Sequence, residues 1–143
     1  MKKNVVISLM GLQYAVEEEE APIEVINFGQ YYKKGDKHYL LYEETDESGR
    51  ATKCRIKVSE KELELQKRDR SNTRLLFLPG EEYLTGYETP YGSLLVGVDT
   101  RSLELYEEDD FLRATLKYGL ELNGEKTGEC TLVLKVQSCE QDA

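Results

Sequence analysis

Apolar and polar residues alternate along most of this chain, and turn signals interrupt the alternation about every ten to twelve positions. A period of two sends successive side chains to opposite faces of a strand, so such a chain folds with one face buried and one face wet. That is the pattern of an antiparallel sheet. It is clearest where Leu112, Ala114, Leu116, Tyr118, Leu120 and Leu122 alternate with Arg113, Thr115, Lys117 and Glu121. Cys130, Leu132, Leu134 and Val136 then alternate with Glu129, Thr131 and Lys135.

The rhythm predicts strands near 4–14, 23–34, 37–44, 51–59, 62–68, 73–78, 82–89, 92–106, 111–122 and 127–138. Turn chemistry separates them: Gly35-Asp36, Asp46-Glu47-Ser48-Gly49, Pro79-Gly80, Pro90-Tyr91-Gly92 and Asn123-Gly124. Ser59-x-x-Glu62 has the form of a helix capping box, but Leu63 and Leu65 alternate as in a strand, and a short strand is the better reading. Gly97, inside an apolar strand, predicts a bulge or bend there. Many strands joined in series by short turns make an up-and-down meander, and closing it into a barrel removes its exposed edges. The expectation is therefore one all-β domain over residues 1–143. It is an antiparallel up-and-down barrel of about eight to ten strands, with a two-sheet sandwich as runner-up.

Charge and cysteine content narrow the function. A net charge of −9 argues against nucleic acid or an anionic membrane surface as partner. Lys53, Arg55 and Lys57, and the further cluster Lys67, Arg68, Arg70 and Arg74, read as solvated strand faces. Cys54, Cys130 and Cys139 have neither C-x-x-C nor metal-ligand spacing. Cys54 and Cys130 fall on apolar faces, as buried free thiols do in a reducing cytosol. The N-terminal run Val5–Met10 is interrupted by Ser8 and followed by the acidic Glu17–Glu20, so it reads as a first strand rather than a signal peptide. No segment has the roughly eighteen apolar residues of a membrane helix. A cytoplasmic location is expected.

Within this barrel frame, several short words stand in a specific order. They are Gly29-Gln30-Tyr31-Tyr32, Lys37-His38-Tyr39-Leu40-Leu41-Tyr42-Glu43-Glu44, Gly49, Lys57-Val58-Ser59, and Tyr87-Glu88-Thr89-Pro90-Tyr91-Gly92-Ser93-Leu94 with Asp99-Thr100. In that order, from Val5 to Val136, the chain resembles the YwiB-like family of bacterial proteins. The resemblance implies a calycin-like, or lipocalin-like, barrel in a cytoplasmic protein. It carries over no catalytic residues.

The chemistry-bearing residues are few. His38 is the only histidine, which excludes a multi-histidine metal site and any triad built on another imidazole. It shares a strand face with Leu40, Tyr42 and Glu44, so it lines the barrel or its rim, with Glu44 as its prospective partner. Ten tyrosines and no tryptophan supply rings that each carry one hydroxyl. By alternation Tyr42, Thr52, Thr100 and Tyr118 point inward, either paired within a filled core or converging on a ligand. Glu107-Glu108-Asp109-Asp110 and Glu17–Glu20 lack the oxygen spacing and glycine of a calcium loop, and read as a solvated hairpin tip and connector. No P-loop, dinucleotide fingerprint, nucleophile elbow or metallopeptidase helix occurs.

The leading expectation is a non-enzymatic barrel that binds a small, partly apolar molecule inside or at its mouth, through His38, Tyr42, Thr100 and Tyr118. It requires neither metal nor cofactor. A protein-binding scaffold using the barrel exterior is the alternative, and an enzyme built on His38, Glu44 and a tyrosine ranks third.

Overall fold

The computed structural model describes residues 1, 3–11, 24–45, 48–68, 72–89 and 92–139. These residues contain ten strands: β1 (Asn4–Met10), β2 (Glu24–Lys34), β3 (Lys37–Thr45), β4 (Ala51–Val58), β5 (Leu63–Arg68), β6 (Asn72–Phe77), β7 (Glu82–Thr89), β8 (Gly92–Glu108), β9 (Phe111–Leu122) and β10 (Glu125–Ser138). All ten join one antiparallel sheet in the order β6-β5-β4-β3-β2-β1-β10-β9-β8-β7. The expected barrel is present, and the ladder between β1 and β10 brings the two halves of the chain together.

Closure is nearly complete. β6 and β7 are consecutive in sequence, yet no ladder joins them among the described residues. Their connection is a tight turn in which Glu81 N–H donates to Leu78 C=O at 2.9 Å. Pro79 supplies the fixed φ, and Gly80, at φ +84°, takes the left-handed position that a type II turn demands. Across this seam the Arg74 guanidinium lies 6.0 Å from the centre of the Tyr83 ring. The Asn123-Gly124 hairpin also forms as its residues dictate, with both at positive φ. Asn123 is further tied to β8, its Oδ1 accepting from Leu95 N–H at 2.9 Å.

Ser59 does not cap a helix. Its hydroxyl accepts from Lys61 N–H in the turn before β5, and Leu63–Arg68 is a strand as the alternation predicts. The bulge, however, is not at Gly97. Gly97 stands in regular register opposite Leu84 and Glu121, and a Cβ there would meet the Leu84 side chain at 2.8 Å. Its function is to leave room for that side chain. The register slips instead between Thr100 and Ser102, where Arg101 is the extra residue. Arg101 turns outward over Gly119 and bonds Asp99 and Glu129, each at 2.7 Å.

The slip reverses the phase of β8. Before it, Val96, Val98 and Thr100 face the interior; after it, Leu105 and Glu107 take that face, opposite Ala114 and Leu112 of β9. The interior they enter is packed from both halves, with Ile7, Leu40, Ile56, Leu116, Leu132 and Leu134 without solvent exposure. Phe77 of β6 packs on Tyr118 of β9, ring centres 4.9 Å apart.

Candidate functional site

Three inward-facing polar residues meet at the end of the barrel that carries the β2–β3 and β8–β9 turns. Tyr31 and Lys33 occupy consecutive inward positions on β2, and His38 on β3 stands directly opposite Lys33. Glu107 arrives from β8. In the ten-strand order β3 and β8 are five places apart, so the contact between them spans the mouth. The His38 Nε2 lies 3.2 Å from Glu107 Oε2, and its Nδ1 lies 2.7 Å from the Tyr31 hydroxyl.

The partners fix the tautomer. An ionised carboxylate only accepts, so Nε2 carries the proton and donates to Glu107. In the neutral ring Nδ1 is then the acceptor, and Tyr31 O–H donates to it. His38 is 3% exposed whereas the Glu107 side chain is 46% exposed, so the chain of bonds runs from solvent into the barrel wall. Burial, and secondarily the Glu107 charge, push the Tyr31 phenol above its ordinary pKa. Tyr31 thus works as a hydrogen-bonding hydroxyl and not as a phenolate.

A cleft of about 200 Å³ opens over this chain, lined by Met1, Tyr31, Lys33, His38, Glu107, Glu108, Asp109, Phe111 and Leu112. A second, of about 490 Å³, shares Met1, Tyr31 and Lys33 with it and continues over Lys3, Gln30, Tyr32 and Leu41. No group of three potential metal ligands occurs among the described residues.

The other residues singled out from the sequence lie elsewhere. Tyr42 is on the same face of β3 as His38 but four residues along, about 13 Å away. It is paired across the strands with Cys54, whose thiol its hydroxyl bonds. Burial raises the Tyr42 phenol far above its ordinary range. Tyr118 is wholly buried against Phe77 and bonds Cys130, while burial raises the Cys130 thiol despite that bond. Thr100 lies opposite Tyr118, 1% exposed, with no hydrogen-bond partner for its Oγ1 among the described residues. Neither cleft described above is lined by Tyr42, Thr100 or Tyr118. Glu44 does not reach His38; it pairs with Lys67 at 3.1 Å.

Glu107 is the residue the alternation misplaces. Continued in phase from Thr100, the pattern sends Ser102, Glu104 and Tyr106 inward and leaves Glu107 in a solvated tip. The Arg101 bulge makes the difference, and nothing in the composition around Arg101 announces it. Alternation does not single out Tyr31; the pairing of β2 with β3 makes it a partner of His38. Glu17–Glu20 and Arg70 lie outside the described residues.

Comparison with known proteins agrees with this architecture. The uncharacterized β-barrel protein YwiB of Bacillus subtilis (strain 168) is 28% identical over 115 residues, which cover 78% of this chain and 80% of that protein. The crystal structure of the ywiB protein from Bacillus subtilis superposes with a TM-score of 0.76, covering 96% of this chain and 92% of that one. At 20% identity that likeness is one of fold. The family model described as Domain of unknown function (DUF1934) matches residues 7–134, and the chain therefore belongs to this family of YwiB-like β-barrels.

Proposed function

We propose that this protein is a non-catalytic binding barrel that holds a small, partly apolar molecule in the cleft at its mouth. The observation that carries the reading is His38. It is almost wholly buried and bonded at both ring nitrogens, and it orients the Tyr31 hydroxyl beneath a cleft whose wall also includes Phe111 and Leu112. A few placed polar groups among apolar ones are the usual composition of a ligand site. At about 200 Å³ the cleft suits a molecule smaller than the drug-sized occupants of pockets of roughly 300–1,000 Å³. The calycin-like use of the fold, expected from the family resemblance, belongs to the same reading. So does a cytoplasmic location, which agrees with Cys54, Cys130 and Cys139 standing outside any disulfide.

The hydrogen-bond chain gives the site adjustable polarity. With a neutral ring, Tyr31 donates to Nδ1 and its oxygen offers a lone pair to the cleft. When the ring is protonated both nitrogens donate, Tyr31 accepts, and its own proton turns toward the occupant.

Amide chemical-shift mapping with a library of fragments, each with one polar group on a small ring or branched chain, tests the reading. Shifts clustered at Tyr31, Lys33, His38, Glu107 and Phe111 are expected, with at least tenfold weaker binding in Tyr31→Phe and His38→Ala. Shifts confined to other strands, or unchanged affinity in folded variants, would overturn it.

A second reading, a protein-binding exterior, is favoured by the outer face of β1–β3. Ile26 is 57% and Phe28 67% exposed, next to exposed Met10, Tyr32 and Leu41. The basic strand β4 argues less for it, since Arg55 and Lys57 are paired with Glu64. A Phe28→Ser variant with unchanged sedimentation and unchanged partner capture would count against this reading.

A further inference from the structure

The clefts at the barrel mouth carry opposite charges that do not meet. Glu107, Glu108 and Asp109 line the smaller cleft together with Lys33, and Lys3 and Lys33 line the larger one, which shares the Tyr31 wall. Glu107 is engaged by His38, and Glu108 accepts from the Tyr106 hydroxyl. No ion pair joins Lys33 or Lys3 to any of the three carboxylates among the described residues.

Opposite charges that line one space without contact leave two unmatched ends, and the same lining includes Tyr31, Phe111 and Leu112. A lone anion would meet three carboxylates on a chain of net charge −9. A lone cation would satisfy the acidic wall and leave Lys33 unanswered. A molecule with both charges on a short apolar body matches both ends and the apolar part of the lining. Resting on the reading of this cleft as a binding site, we infer that its occupant is a small zwitterion of the α-amino acid kind. Its ammonium sits toward Glu108 and Asp109, its carboxylate toward Lys33 and Lys3, and its side chain against Phe111 and Leu112.

A matched series separates this inference from the broader reading. L-leucine, isopentylamine and 4-methylpentanoate share a branched apolar chain and carry both charges, the cation alone and the anion alone. Titrated at low ionic strength and followed by amide shifts and calorimetry, leucine is expected to bind roughly tenfold tighter than either, the gain of one further charge-assisted contact. Asp109→Asn is expected to reduce leucine to the level of the carboxylate, and Lys33→Met to the level of the amine. Equal binding of all three, or tightest binding of the amine, overturns the zwitterion while leaving the cleft a binding site. Failure of all three to perturb the cleft also overturns it. The broader reading falls with it only if the neutral fragments leave the cleft unperturbed as well.

Discussion

Gly29 shows how closely this barrel is packed around the strand that carries Tyr31. A Cβ at this position would lie 2.5 Å from the Leu41 carbonyl oxygen and 2.8 Å from Ile7 Cδ1, and the first of these is backbone and cannot rotate away. Gly29→Ala is therefore expected to lower stability by about 2–3 kcal/mol in urea denaturation, the usual cost of overpacking a fixed site. Gly86→Ala, with nothing within 4 Å of the added carbon, is expected to leave the midpoint unchanged or raise it. Glu64 offers a charge test on the outer face. Burial would raise its pKa, but Arg74, Lys57 and Arg55 together outweigh burial and hold the carboxyl below its ordinary value. A lowered folded pKa means the charged form favours the fold. The contribution is complete above about pH 4.5 and is lost as pH falls through the folded pKa. Glu64→Gln should accordingly flatten the acid limb of the stability curve, and a limb as steep as the parent's would contradict the assignment.

Among the strands, β8 decides what the barrel mouth contains. Inserting one residue between Ser102 and Leu103 moves everything beyond by one position and turns Leu103, Leu105 and Glu107 away from the interior, because a one-residue slip exchanges the faces of everything beyond it. The expected outcome is loss of cooperative unfolding, or a midpoint lower by at least about 3 kcal/mol, the cost of taking two apolar side chains out of the core. Retention of the parent midpoint would show that the fold does not depend on the phase of β8 beyond the bulge. The same strand marks the limit of what the residues alone disclose. Alternation placed ten strands and assigned Leu40, Ile56, Leu116 and Leu134 to the interior, since period and burial are local properties. It also placed Tyr42, Thr100 and Tyr118 inward, and all three are buried there. It could not pair His38 with Glu107, because that contact depends on an unsignalled bulge and on two strands meeting across a closed circuit, 69 residues apart.

Among the described residues the molecule is a circuit of strands joined at β1 and β10 and open in its ladder between β6 and β7. Its two ends differ. One carries the Tyr31–His38–Glu107 chain, with Glu107 reaching over from the opposite side of the mouth, and the other carries the Asn123-Gly124 turn hooked to Leu95. Because the chain has a single histidine, nitrogen NMR of the imidazole gives one pair of ring signals that report this chain of bonds alone. For the neutral ring the structure predicts a protonated Nε2 coupled to Glu107 and an unprotonated, hydrogen-bonded Nδ1. In Glu107→Gln that preference should weaken, and in Tyr31→Phe the Nδ1 signal should move toward that of a free acceptor. A protonated Nδ1, or two tautomers averaging as in a solvated histidine, would contradict the site proposed at the mouth of this barrel.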